Sequence, residues 1–210
     1  SIYSTNISSF EISDNDIDNF TGDGSTTNFT MSKTPPDSRN ILVTNNGVVQ
    51  YPNDTTTTRD YSVATDSNDN VYVFNRGLYP LIIFDKDGNY IGHWGEGEFN
   101  RPHGIRIDKD DNLYLIDDLD HIVQKRTKSG EILLTIGEKG KPSPWQEGGY
   151  FNRPTDVAVD EFTGDIFVSD GYGNSRIHKF NSKGDHLKSW GKSGSEDGEF
   201  SLPHNISIFD

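Results

Sequence analysis

Two histidines stand in matching contexts far apart in the chain, Arg101-Pro102-His103-Gly104 and Leu202-Pro203-His204-Asn205. Proline fixes φ, so a side chain directly behind it is aimed by the backbone. Two or three neutral imidazoles that converge can hold zinc and leave one position open for a substrate. The competing expectation is that each histidine only hydrogen-bonds a neighbouring element, and no HExxH or clustered Cys/His motif decides between the two. His93, His121, His178 and His186 fall in turns or outer strands and are expected to be structural or exposed. Tyr172, behind Asp170-Gly171, can pack a rim or move a proton, and Arg76 can pair with a surface acid or hold an anion.

The elements that would position these residues repeat. Tyr61–Asp66, Asn70–Phe74, Leu81–Asp85 and Gly88–Ile91, ending in Trp94-Gly95, match a second and a third segment. The second runs from His103 to Gly137 and the third from Thr155 to Gly191; a fourth opens with His204-Asn-Ile-Ser-Ile208. The equivalent Asp66, Asp108 and Asp160 are 42 and 52 residues apart, a propeller-blade period with one longer connection. Each unit holds four short apolar or alternating runs between turns, which reads as four antiparallel strands. The turns Lys86-Asp87-Gly88 and Ser182-Lys183-Gly184 place glycine where φ must be positive. No helical period is present, which excludes TIM and doubly wound folds. The innermost strand of a blade starts at one mouth of the ring, and the successive residues at that position are His103, Thr155 and His204.

Composition agrees with an all-β chain: 21 glycines and 24 aromatic residues in 210, with no cysteine to form a disulfide. The net charge of −14 speaks against nucleic acid, whose phosphates need a basic footprint. No apolar run is long enough to span a membrane. Propellers need about four to eight blades, and three plus one strand is fewer, so either the protein continues beyond Asp210 or chains pair to complete a ring, and the expectation is an excerpt of a longer protein.

Residues 1–60 lack the blade pattern and are rich in Thr, Ser, Asn and Asp. Ile41–Tyr51 reads as a hairpin turning at Asn46-Gly47, and Asn53–Arg59 as a linker. The expected organisation is a small β module over 1–60 and a partial propeller over 61–210. Phe20–Thr30, Asn40–Thr44, Gly47–Tyr51 and Asp60-Tyr61 resemble β modules of phage tail fibres. That resemblance implies virion proteins as partners and an extracellular or virion-surface location.

Pro102-His103-Gly-Ile-Arg-Ile-Asp108, Arg153-Pro-Thr-Asp-Val-Ala-Val-Asp160, Val168-Ser-Asp-Gly-Tyr172-Gly-Asn-Ser-Arg-Ile177 and Phe200-Ser-Leu-Pro-His204 carry a second resemblance, with Val71–Gly77 weaker. Across 61–210 the chain is similar to NHL-repeat propellers of the peptidyl-α-hydroxyglycine α-amidating lyase family. That family is six-bladed and cleaves a peptidyl-α-hydroxyglycine into a peptide amide and glyoxylate. The resemblance implies zinc on His103 and His204, and Tyr172 as the group that deprotonates the substrate hydroxyl, with Arg76 beside it. It also implies calcium on the backbone carbonyls of Val63 and Ile105. The family's third zinc histidine, a calcium-binding aspartate and a second arginine would match positions after 210. Its animal disulfide matches Asn152 and Gly173, where none can form. Two functions follow as expectations: a metal-dependent lyase acting on α-hydroxyglycine peptides, or a non-catalytic propeller that binds glycan or protein on a virion appendage.

Overall fold

The computed structural model describes residues 62–147 and 149–208 in full, and in residues 1–61 only the backbone of six short strands. These are β1 (Ile2–Tyr3), β2 (Ser9–Ile12), β3 (Phe20–Thr21), β4 (Asn28–Phe29), β5 (Val43–Asn45) and β6 (Val48–Gln50). β1 pairs with β4, and the other four form a sheet in the order β3-β2-β5-β6. Asn45 faces Val48 across β5 and β6. That register leaves Asn46-Gly47 as the two-residue link expected of a hairpin. The conformation of that turn, the linker 53–59 and most of the tail-fibre-like stretch lie outside the described residues.

Three four-stranded antiparallel sheets follow. The first is β7 (Ser62–Thr65), β8 (Val71–Phe74), β9 (Leu81–Phe84) and β10 (Tyr90–Trp94). The second is β11 (Pro102–Ile107), β12 (Leu113–Asp117), β13 (Ile122–Arg126) and β14 (Ile132–Ile136). The third is β15 (Asp156–Val159), β16 (Ile166–Asp170), β17 (Arg176–Phe180) and β18 (His186–Trp190). Strands are neighbours in chain order, so each sheet is a meander, the form a propeller blade takes. Gly88 and Gly184 have φ of 84° and 85°, as their turns require.

Alternation along β12 joins the blades. Leu113 and Leu115 point one way, into a core with Tyr72, Phe74, Leu81 and Ile105 of the first two blades. Tyr114 and Ile116 point the other way, into a core with Phe151, Val157, Ile166, Val168 and Phe180. A period of two therefore puts every residue of β12 out of solvent. The outermost strands β10 and β18 remain largely exposed. One short helix, α1 (Gly171–Asn174), interrupts the all-β pattern between β16 and β17. Residues 202–208 open the fourth repeat in sequence but form no ladder among the described residues. They are fastened to the third blade by hydrogen bonds instead, through Pro203 O and Ile206 N. No helix among the described residues is long and apolar enough to cross a membrane.

The repeated aspartate closes the turn between the first two strands of each blade. Asp66 accepts hydrogen bonds from the backbone of Asn68 and Asn70 and from the Asn70 amide, and Lys128 of the next blade reaches it at 3.1 Å. Lys128 also contacts Asp111 at 2.8 Å, tying the two blades together. Burial works to raise the Asp66 pKa, but the bonds from Asn70, Lys128 and Asn68 prevail and hold it at about 2. A carboxyl lowered in the folded state adds stability above its unfolded pKa of about 3.9, and that stability is lost as pH falls toward 2. Lys128→Met is therefore expected to move the acid-unfolding midpoint to higher pH, read by circular dichroism. At pH 7 it should cost no more than about 1 kcal/mol, because the ammonium is partly exposed. An unchanged acid midpoint would show that Lys128 contributes nothing to the carboxylate.

Candidate active site

A carboxylate at the end of the second strand sets the approach to the first. Asp117, the last residue of β12, accepts the backbone N–H of Asn100 at 2.6 Å and of Arg101 at 3.0 Å. This fixes the chain that enters β11 at Pro102-His103. Asp170, the last residue of β16, accepts the N–H of Asn152 at 2.9 Å and so fixes the entry to β15. Asp170 also accepts from Asn174 Nδ2 at 2.6 Å and lies 3.3 Å from His178 Nε2. Those contacts close α1, the single turn that carries Tyr172 at its second position.

Tyr172 and both proline-led histidines meet. Tyr172 Oη lies 3.1 Å from His103 Nε2 and 3.0 Å from His204 Nε2, and the two imidazole centroids are 5.0 Å apart. His103 is buried, while His204 is exposed. A phenol donates one proton, so one imidazole accepts from it and the other can donate to it. Arg76 follows β8 and donates from Nε to Pro102 O at 2.9 Å, against the residue before His103. Thr155, the third residue at this repeat position, is a fastening: its Oγ1 lies 2.9 Å from Pro203 O and 3.0 Å from Ser169 O. The residues preceding the prolines in the last two units, Arg153 and Leu202, have φ of 65° and 61°. Such non-glycine strain costs on the order of 1–3 kcal/mol each and collects at functional sites.

Arg153 is the residue that sequence reasoning missed. Its guanidinium lies 4.6 Å from the centroid of the Tyr172 ring. Behind it, Asp118 Oδ2 accepts from Nη2 at 2.9 Å and from Nε at 3.2 Å. The Arg153 N–H is held by His121 Nδ1 at 3.1 Å, and burial keeps that imidazole below its ordinary pKa and thus a neutral acceptor. The signal was present as Arg-Pro at the same place in two repeats, Arg101 and Arg153. The other histidines stay outside this cluster: His178 and His186 share Ser189 Oγ at 2.8 and 2.6 Å, and His93 packs on Tyr79.

Neutral imidazoles are zinc donors, and both Nε2 atoms face the Tyr172 hydroxyl, so a zinc ion held by His103 and His204 would replace those two hydrogen bonds. No group of three or more His, Cys, Asp or Glu placed to hold a metal occurs among the described residues. Val63 and Ile105 lie on adjacent inner strands, β7 and β11, which touch through Ile105 N and Ser62 Oγ at 3.2 Å. The Ile105 carbonyl already accepts from Arg106 Nη1 at 3.2 Å, so a calcium ion there would share that oxygen with a guanidinium. Asn152 and Gly173 are in contact, as their match to a disulfide pair implies: a Cβ on Gly173 would overlap Asn152 atoms.

Known proteins bear on the fold and on the family resemblance. The NHL repeat profile matches residues 151–180, the approach and first three strands of the third blade. The chain is 38% identical over 157 residues to a peptidyl-glycine alpha-amidating monooxygenase of Mus musculus, covering 68% of this chain and 16% of the mouse protein. It is 36% identical over 133 residues to a probable peptidyl-alpha-hydroxyglycine alpha-amidating lyase of Caenorhabditis elegans, covering 62% and 37%. The chain thus spans about a sixth of the mouse relative and little more than a third of the nematode one. Among solved structures, virginiamycin B lyase from Staphylococcus aureus superposes with a TM-score of 0.54 at 16% identity, covering 99% of this chain and 73% of that one. That likeness concerns the fold alone. The three sheets between Ser62 and Trp190 are therefore blades of a β-propeller, with an NHL repeat over 151–180. Within that class, the chain resembles the peptidyl-α-hydroxyglycine α-amidating lyases.

Proposed function

We propose that the cluster at the mouth of the blades is a lyase site for peptides ending in α-hydroxyglycine. The observation that carries the proposal is Tyr172 Oη within 3.1 Å of two imidazole nitrogens brought from separate repeats. In the reaction, Tyr172 in its tyrosinate form takes the proton of the substrate hydroxyl on Oη. The electron pair of that O–H bond forms the aldehyde C=O, the C–N bond breaks, and the departing nitrogen takes that proton from Tyr172. The products are a peptide amide and glyoxylate, with no oxidant or reductant consumed. Zinc held by His103 and His204 would lower the pKa of the hydroxyl it binds. Arg76, fastened to Pro102, stands where it can hold the substrate against His103. Calcium on the Val63 and Ile105 carbonyls is a companion proposal, structural in role.

Metal content and glyoxylate release after incubation with zinc and calcium test these proposals together. About one zinc per chain is expected, lost in His103→Ala along with glyoxylate release. A chain that binds no zinc and releases no glyoxylate would remove the lyase proposal. It would leave a propeller whose ligand binding survives chelation, as a binding head on an appendage would show.

A further inference from the structure

The geometry points to Arg153 as a second anion anchor of this site, one that reads the carboxylate at the end of the ligand. The inference rests on the proposed lyase function for the class of ligand, and on the structure for the residue. Nε and Nη2 of Arg153 are spent on a single oxygen, Asp118 Oδ2. Among the described residues Nη1 has no hydrogen-bond acceptor, and about a third of the side chain, 32%, is exposed beside the Tyr172 ring. A guanidinium that is clamped from behind and open in front is pre-organised to bind an oxyanion.

Charge supports the same assignment. The chain carries −14 overall, yet three arginines gather at this mouth. Arg76 rests on Pro102 O, and Arg101 and Arg153 share the fully buried Asp118 carboxylate, Arg101 Nε at 3.4 Å. One carboxylate does not neutralise two guanidinium groups. The other acids nearby are turned elsewhere, Asp117 and Asp170 to backbone N–H groups and Asp120 to Lys139. The exposed part of the Arg153 side chain therefore presents positive charge beside Tyr172, which favours an anionic ligand there. Stacking on Tyr172 places that charge next to the group proposed to take the hydroxyl proton.

The test uses two ligands that lack the hydroxyl and so are not turned over, N-benzoylglycine and N-benzoylglycinamide, titrated calorimetrically into the parent chain and its variants. The parent is expected to prefer the carboxylate over the carboxamide by about tenfold, the scale of one charged hydrogen bond. Arg153→Gln should abolish the preference. Should that variant fail to fold, Arg153→Lys carries the test, and a preference cut by at least about threefold is expected because lysine lacks the planar fork. A parent with no preference, or a variant that keeps it in full, overturns the anchor. Glyoxylate release, assayed separately, keeps the two ideas apart. Release with the preference intact in Arg153→Gln sinks the anchor and leaves the lyase. Preference lost in Arg153→Gln from a parent that releases no glyoxylate leaves the anchor and sinks the lyase.

Discussion

Tyr172→Phe is expected to lower the rate of glyoxylate release by about 10²–10⁴-fold, the usual contribution of a positioned general base. The substitution removes one oxygen and keeps the ring. Packing on α1 and the stacking of Arg153, both of which use the ring, should survive. The lost hydrogen bonds to His103 and His204 should cost about 1–2 kcal/mol, too little to unfold the chain. Zinc content should stay at the parent value, since both imidazoles remain. The loss should therefore appear in kcat, with KM nearly unchanged, because the hydroxyl acts on the proton in transit and not on ligand affinity. Thermal melting and zinc content measured beside the kinetics separate this outcome from misfolding. If Tyr172 only packs the rim, Tyr172→Phe will turn over within a few-fold of the parent, and the assignment of the base will be wrong.

Much of this arrangement was legible in the sequence because repeats are read by superposition. The equivalence of His103, Thr155 and His204 follows from aligning three short strands, and the strands form where the alternating runs stood. Proline before each histidine announced a fixed approach, and the two imidazoles do meet. What the sequence did not disclose is contact across repeats. Arg153 stood in the sequence only as the first residue of the third unit's Arg-Pro motif; its importance lies in stacking on Tyr172 and pairing with Asp118 of the second. Thr155 sat at the ligand position, yet it works as a tether for Pro203. The closing role of Asp117 and Asp170 was implicit in their shared place at the end of the second strand. A repeat alignment shows that such a residue recurs but not which N–H it accepts. The fourth repeat shows the limit most clearly. Its apolar pattern reads as a strand, but 202–208 has no ladder among the described residues and is held by side chains of the third blade.

The other large effect is expected from a residue with no side chain at all. Gly171 is buried at the start of α1, and a Cβ added there would run into the carbonyl oxygen of Pro203 and sit 3.0 Å from Thr155 Oγ1. Its backbone φ is not among the positive ones, so glycine is required here for close approach and not for conformation. The obstructing atom is backbone, and it belongs to the residue directly before His204. It is also the oxygen that Thr155 holds at 2.9 Å, so it cannot retreat without breaking that bond. Gly171→Ala should therefore push Pro203-His204 away from Tyr172. Overpacking of this kind costs about 1–3 kcal/mol, and a misplacement of roughly 1 Å at a reacting group can cost on the order of 10²-fold in rate. Gly88→Ala supplies the contrast. Gly88 lies in a turn of the first blade at φ 84° with open space around its Cβ position. That variant should lose about 1 kcal/mol through backbone strain and leave zinc binding and turnover at parent values. Melting temperature, zinc content and glyoxylate release, measured on both, distinguish the two kinds of glycine. If Gly171→Ala melts, binds zinc and turns over like the parent, the third blade does not aim His204 through Pro203, and the meeting of His204 with Tyr172 must have another cause.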